Sequence, residues 1–165
     1  MTKIKRILYI CAGNTCRSPF AEGFSNLLKT SINKEELKNV MFDSAGIYHY
    51  YKTAQPETVN YLKSKGIDIS NFKTKRIDEN LLEQQDLILG FEQKHHINKL
   101  KRKFKTVKNL DEKLFLLLDF AQEKENLEIF DPFRLEQKEY NLVLKRIEDG
   151  VTKIIKKIIE INKLE

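Results

Sequence analysis

Cysteine, proline, glycine and tryptophan are all scarce in this chain: two, three, six and none among 165 residues. Each scarcity excludes something. Two thiols lying five apart, Cys11 and Cys16, cannot build the disulfide framework of a small secreted scaffold. A tetrahedral zinc site needs further ligands, and the histidines are limited to His49, His95 and His96. His95 and His96 are adjacent, so on a helix they point about 100° apart and share no metal easily. The pair reads as solvated surface. Few prolines and glycines leave no linker, repeat or low-complexity tract, and the length suits one domain over residues 1–165 with a sizeable core. No apolar run approaches the roughly 18–20 residues that span a bilayer. The basic N-terminus is followed by an apolar stretch that ends near Cys11, too short for a secretory signal and without a small-residue cleavage site. The expectation is a cytoplasmic protein with no membrane insertion.

What is present fits a globular domain, with 41% apolar and 33% charged residues. The net charge of +6 implies a solvated, lysine-rich surface and, functionally, attraction of acidic or phosphorylated partners. No nucleic-acid module and no basic stripe interleaved with aromatics is recognisable. Nothing in the sequence speaks to oligomeric state.

Short β-prone runs alternate with segments of helical period. Ile4–Ile10 reads as a buried strand. Ser18–Lys29 reads as a helix carrying Phe20, Phe24, Leu27 and Leu28, with Ser18 as N-cap and Pro19 as first helical residue. Val40–Ser44 is a second strand. Pro56–Lys65 is a helix with Val59 and Leu62 inward and Gly66 at its stop. Asp78–Gln85 is a short helix, Leu87–Phe91 a third strand, Glu92–Phe104 a helix and Leu114–Leu118 a fourth strand. Last comes an amphipathic helix over about Glu139–Lys163, whose stripe runs from Tyr140, Val143, Leu144 and Ile147 through Val151, Ile154, Ile155 and Ile158. Strands alternating with helices predict a small doubly wound α/β fold, a four-stranded parallel sheet with helices on both faces. Ligands in such folds sit beyond the carboxyl ends of the strands.

The segment after the first strand is Cys11-Ala12-Gly13-Asn14-Thr15-Cys16-Arg17-Ser18-Pro19. A turn of successive N–H groups entering a helix makes an anion nest, and the helix dipole favours negative charge. Gly13 supplies backbone freedom. Arg17 can fold over the cradle and clamp two phosphate oxygens. Cys11, at the strand end, faces the same donors, which stabilise a negative sulfur, and Ser18 can donate its hydroxyl hydrogen to it. The site that binds phosphate thus also activates a nucleophile. Such a nucleophile needs a general acid for the leaving group, and Asp131 in Ile129-Phe130-Asp131-Pro132-Phe133 is the candidate. Pro132 stiffens that loop, and Phe130 with Phe133 would partly desolvate the carboxyl.

The pattern C-x-G-N-x-C-R-S-P, closing a first strand and opening a helix, resembles the low-molecular-weight protein tyrosine phosphatases. So do Ala21-Glu22, Asp43-Ser44-Ala45-Gly46, Lys65-Gly66-Ile67, Lys75-Arg76, Asp86-Leu87-Ile88-Leu89 and Asp131-Pro132, which together cover nearly the whole chain. The resemblance implies cofactor-free hydrolysis of a phosphorylated protein through a phosphocysteine on Cys11, with Arg17 and the loop of Ala12, Gly13, Asn14, Thr15, Cys16 and Ser18 holding the phosphoryl oxygens. Asp131 would act as acid and then base, and Asn14 and Ser44 would brace the loop. Tyr48, His49, Tyr50 and Tyr51 fall where the family builds one wall of its substrate cleft, and with Phe133 they could sandwich a phosphotyrosine ring.

Several departures bear on the substrate. Ala12 and Thr15 stand where many members carry larger aliphatic residues, and Thr15 resembles the related protein arginine phosphatases. Phe91-Glu92 replaces the usual methionine-aspartate. An arsenate reductase on the same scaffold is disfavoured, because its relay needs cysteines after Cys16 and there are none. Cys11 and Cys16 also form a candidate redox pair, since a reversible disulfide between them would protect the nucleophile.

Overall fold

The computed structural model describes residues 2–164. Its elements in chain order are β1 (Arg6–Cys11), α1 (Arg17–Ile32), α2 (Glu35–Lys38), β2 (Met41–Gly46), α3 (Pro56–Ser64), α4 (Glu79–Glu83) and β3 (Leu87–Gly90). A π-helical turn (Gln93–Asn98) then runs into α5 (Lys99–Lys103), followed by α6 (Leu110–Lys113), β4 (Leu114–Leu116), α7 (Leu117–Phe120) and α8 (Gln137–Lys163). The four strands form one all-parallel sheet in the order β2-β1-β3-β4. This is the α/β architecture expected from the alternation.

The period of two along β1 decides which helices cover which face. Ile7, Tyr9 and Cys11 join Leu87 and Leu89 of β3 in a core with α1 and α8. Leu8, Ile10 and Ile88 face the other way, onto Leu82 of α4, Ile97 of the π turn, Leu100 of α5 and Leu110 of α6. Helix α8 supplies the largest share of the first core, burying Tyr140, Leu144, Ile147, Val151, Ile154, Ile155 and Ile158. Truncating Ile147, Ile154, Ile155 or Ile158 to alanine would cost about 2–5 kcal/mol, because the void left does not collapse fully.

Four local expectations need correction. Helix α1 begins at Arg17 and is capped at Cys16 without a side-chain bond, because the hydroxyl of Ser18 is engaged elsewhere. In α3 the inward residues are Thr58 and Leu62, with Val59 only half-buried; the hydroxyl of Thr58 reaches that of Tyr140 at 2.6 Å. The segment after Glu92 is not one regular helix but the π turn and α5. The fourth strand stops at Leu116, and Leu117 and Leu118 open α7. Continuous apolar runs carry no period to separate strand from helix, which accounts for the last.

Candidate active site

Strand β1 brings the chain to Cys11 at the carboxyl edge of the sheet, and α1 starts six residues later. The carbonyls of Cys11, Ala12 and Thr15 accept N–H groups from Ile47, Tyr48 and Gln55, which pins the loop from outside. Among the described residues, none of the amides of residues 13–17 donates to a backbone acceptor. A run of such amides ending on a helix N-terminus is an anion nest. The left-handed residue in the loop is Asn14, with φ 57°, rather than Gly13. Asparagine tolerates this conformation, and a side chain at Gly13 would meet Tyr50 Cδ2 at an ordinary 3.5 Å. The glycine the loop requires is Gly46, where a Cβ would come within 2.7–3.0 Å of the Tyr48 carbonyl and the backbone of Gly13 and Asn14.

A directional chain of hydrogen bonds ends on the Cys11 sulfur. The Asn14 side chain accepts from the Lys75 amide through Oδ1 (3.0 Å). Its Nδ2 donates to Ser18 Oγ and Ser44 Oγ, both at 2.9 Å. Ser44 in turn donates to the Glu22 carboxylate. With its oxygen already accepting from Asn14, Ser18 is left to give its hydrogen to Cys11 Sγ, 3.0 Å away. Asn14 and Ser44 therefore brace the loop as expected. Burial raises the Glu22 carboxyl to about 7, against the opposing pull of its bond from Ser44.

Arg17 is 1% exposed. Its Nη1 donates to Glu92 Oε2 (2.7 Å) and to the Ile129 carbonyl (2.8 Å), and its guanidinium lies 5.8 Å from the centre of the Phe91 ring. Nε has no hydrogen-bond partner, and Nη2 has only a loose contact with Asp131 Oδ2 at 3.7 Å. One edge of the guanidinium is thus anchored, and the Nε–Nη2 edge remains to grip two oxygens of an anion. Ile129 also donates its N–H to the Phe91 carbonyl (2.8 Å), which ties the Asp131 loop to the end of β3.

Asp131 is brought beside Arg17, but not desolvated as expected. Phe130 is 68% exposed, the Asp131 side chain 48% exposed, and Asp131 Oδ1 accepts the Phe133 amide at 3.1 Å. Of the aromatic wall, half-buried Tyr48 stacks on exposed Tyr50 (5.3 Å between ring centres), and Tyr51 meets Phe133 at 6.1 Å. Tyr51 and Phe133 therefore touch each other instead of leaving a slot for a third ring, which needs about 7 Å or more. His49 is exposed.

Cys16 lies within the cradle's base, buried, 3.6 Å from Thr15 Oγ1. Burial, only partly opposed by bonds from Tyr140 and Thr15, pushes its thiol up to about 12. Both cysteines are free. Sequence reasoning did not assign Glu92, Glu22, Thr58 or Tyr140 to the site, and it put His96 on the surface, where the structure buries it completely. The signal was available for His96: it lies four residues before Leu100 and eight before Phe104, on one helical face.

Low molecular weight phosphotyrosine protein phosphatase 1 of Drosophila melanogaster is 30% identical over 132 residues, 79% of this chain and 81% of that protein. Arsenate reductase 2 of Staphylococcus epidermidis is 35% identical over 88 residues, 52% of this chain and 58% of that one. Among solved structures, a mutant of the YwlE arginine phosphatase with a phosphorylated active-site serine superposes with a TM-score of 0.85 at 25% identity, covering 97% of this chain and 99% of that one. The family model described as low molecular weight phosphotyrosine protein phosphatase matches residues 6–163, from the first strand to the end of the last helix, and the chain belongs to that family.

Proposed function

We propose that the chain is a single-domain protein tyrosine phosphatase that works through a phosphocysteine on Cys11. The observation that carries this reading is the convergence on one loop of free amides, a sulfur receiving the Ser18 hydrogen, and an arginine anchored on one edge with the other unoccupied. Cys11 Sγ attacks phosphorus in line, so that the S–P bond forms as the bond to the phenolic oxygen breaks. Asp131 gives its proton to the leaving oxygen. It then takes a proton from water, whose oxygen attacks phosphorus and releases phosphate and the Cys11 thiolate. The loop amides and Arg17 stabilise the equatorial oxygens throughout.

A protein substrate is supported by the charge distribution. Residues 94–108 carry seven lysines and arginines and no acidic residue, more than the whole chain's net +6. This segment adjoins the aromatic wall, with Lys99 Nζ 5.1 Å from the centre of the Tyr48 ring. The setting proposed is the cytoplasm; among the described residues no helix is long and apolar enough to cross a membrane.

A phosphoarginine substrate is the second reading, favoured by buried Thr15 beside Cys16 and by the closed Tyr51–Phe133 contact. Arsenate reduction has less support, since no cysteine follows Cys16 to complete a relay. Matched phosphotyrosine and phosphoarginine peptides, with Cys11→Ser as control, separate the readings. Faster phosphotyrosine turnover is expected; faster phosphoarginine turnover reassigns the substrate to the Thr15 reading.

A further inference from the structure

Behind the arginine lies a buried histidine that the proposed reaction does not use. His96 Nδ1 accepts the N–H groups of Phe91 (3.0 Å) and Glu92 (3.2 Å). In the neutral ring the hydrogen is therefore on Nε2. The ring is kept neutral, since burial, reinforced by the charge of Arg17, pushes its pKa down to about 2. Nε2 has no hydrogen-bond partner. It lies 3.6 Å from Glu92 Oε2, the oxygen that accepts from Arg17 Nη1 at 2.7 Å. A carboxylate oxygen has room for both donors, and an unsatisfied buried N–H is costly, so a small movement of the carboxylate toward the ring is favoured.

The backbone is built to bring this ring under that oxygen. The amides of His96 and Ile97 both reach the Glu92 carbonyl at 3.2 Å, the widened start of the π turn. π turns insert one residue into a helix and concentrate at functional positions. The ring packs edge-on to Phe91 (6.1 Å, 88°). Gly90 lets it approach, since a Cβ there would be 3.1 Å from His96 Cβ.

We propose that His96 is a positioning residue for Arg17: its Nε2–H directs the Glu92 carboxylate, Glu92 fixes Nη1, and the Nε–Nη2 edge is thereby held at one angle to the phosphoryl group. The inference rests on the phosphatase reading, in which that edge clamps the phosphoryl oxygens. An angular error at a clamp is felt most where the transferring group is trigonal and charge is spread over its equatorial oxygens. Losing the Nε2–H therefore lowers kcat more than it raises KM.

Two substitutions divide the ring's two bonds. His96→Asn keeps an acceptor for the Phe91 and Glu92 amides and removes the donor toward Glu92. His96→Gln keeps an N–H that reaches Glu92 and gives up the acceptor. On an aryl phosphate, His96→Asn is expected to lose about tenfold in kcat with KM changed less than about twofold and thermal midpoint nearly unchanged. His96→Gln is expected to be less stable yet to keep kcat within about threefold of wild type. In a Glu92→Leu background, which leaves no acceptor for Nε2–H or Nη1, His96→Asn should cost no further kcat. Wild-type kcat in His96→Asn overturns the inference, as does an equal loss in the Glu92→Leu background or a folded His96→Gln as slow as His96→Asn. Wild-type protein inert toward aryl and arginine phosphates alike would instead undo the phosphatase reading.

Discussion

Replacing Glu22 with glutamine should stabilise the protein at neutral and alkaline pH, by an amount set by where the carboxyl sits. Glu22 is half-buried on α1 and accepts from Ser44; burial raises it from an ordinary 4.5 to about 7. The native state therefore holds this proton more tightly than the unfolded chain does. Its stabilising contribution is complete below about pH 4.5 and is lost as pH rises through 7. The rise corresponds to about 3 kcal/mol, or about 2 once residual solvent screening is allowed for. Glutamine cannot ionise, and its Oε1 still accepts the Ser44 hydrogen. The difference in stability between Glu22→Gln and wild type should be near zero at pH 4 and grow to about 2 kcal/mol by pH 8. For a chain of this length that is about 4–8 °C in thermal midpoint, readable by circular dichroism at a series of pH values. Activity should stay within about threefold, because the Asn14–Ser18–Cys11 bonds keep their direction. A pH-independent gap, or wild type gaining on the variant above pH 6, would refute the reasoning.

Other consequences follow from the same geometry. Asp131→Ala should slow hydrolysis of phenolic esters with poor leaving groups by about a hundredfold or more while sparing good ones; equal losses across a leaving-group series would argue against its acid role. The basic segment 94–108 beside Tyr48 should make kcat/KM for a phosphopeptide with acidic flanks fall between 0.02 and 0.3 M salt, several-fold more than for the same peptide with neutral flanks. Identical salt slopes would confine the effect to the phosphate itself. Peroxide should convert Cys11 to a sulfenic acid that the Cys16 thiolate closes to a disulfide. With the Cys16 thiol pushed up to about 12, the closing rate should rise about tenfold per pH unit between pH 7 and 9. Irreversible loss without a disulfide by mass spectrometry would remove Cys16 from that role.

The parts of this protein written in local sequence were legible before its structure. The strand ending at Cys11, the loop into α1 and the stripe of α8 each rest on neighbours within a few residues. What escaped depends on the register between distant segments. Ser44 meets Asn14 because β2 pairs with β1 so that Ser44 stands opposite Tyr9; the family resemblance implies this brace, and no spacing in either strand announces it. The bond from Ser18 to the Cys11 sulfur is legible in the loop sequence; that α1 then begins at Arg17, with Cys16 at its cap, is not. The π turn was invisible because one inserted residue leaves apolar residues at nearly helical spacing; it shows only in the Glu92 carbonyl, which receives the amides of both His96 and Ile97. The exposure of Asp131 likewise depends on how its loop sits on Phe91, through Ile129.

The central claim is that Cys11 becomes covalently phosphorylated, and trapping that species tests it most directly. Wild type and Asp131→Ala would be mixed with a good-leaving-group aryl phosphate, quenched within milliseconds, digested and measured by mass spectrometry. A phosphate adduct on the Cys11 peptide is predicted, longer-lived in Asp131→Ala, where the base for water is gone, and absent in Cys11→Ala. Turnover without any such adduct, or an adduct on another residue, would contradict the account.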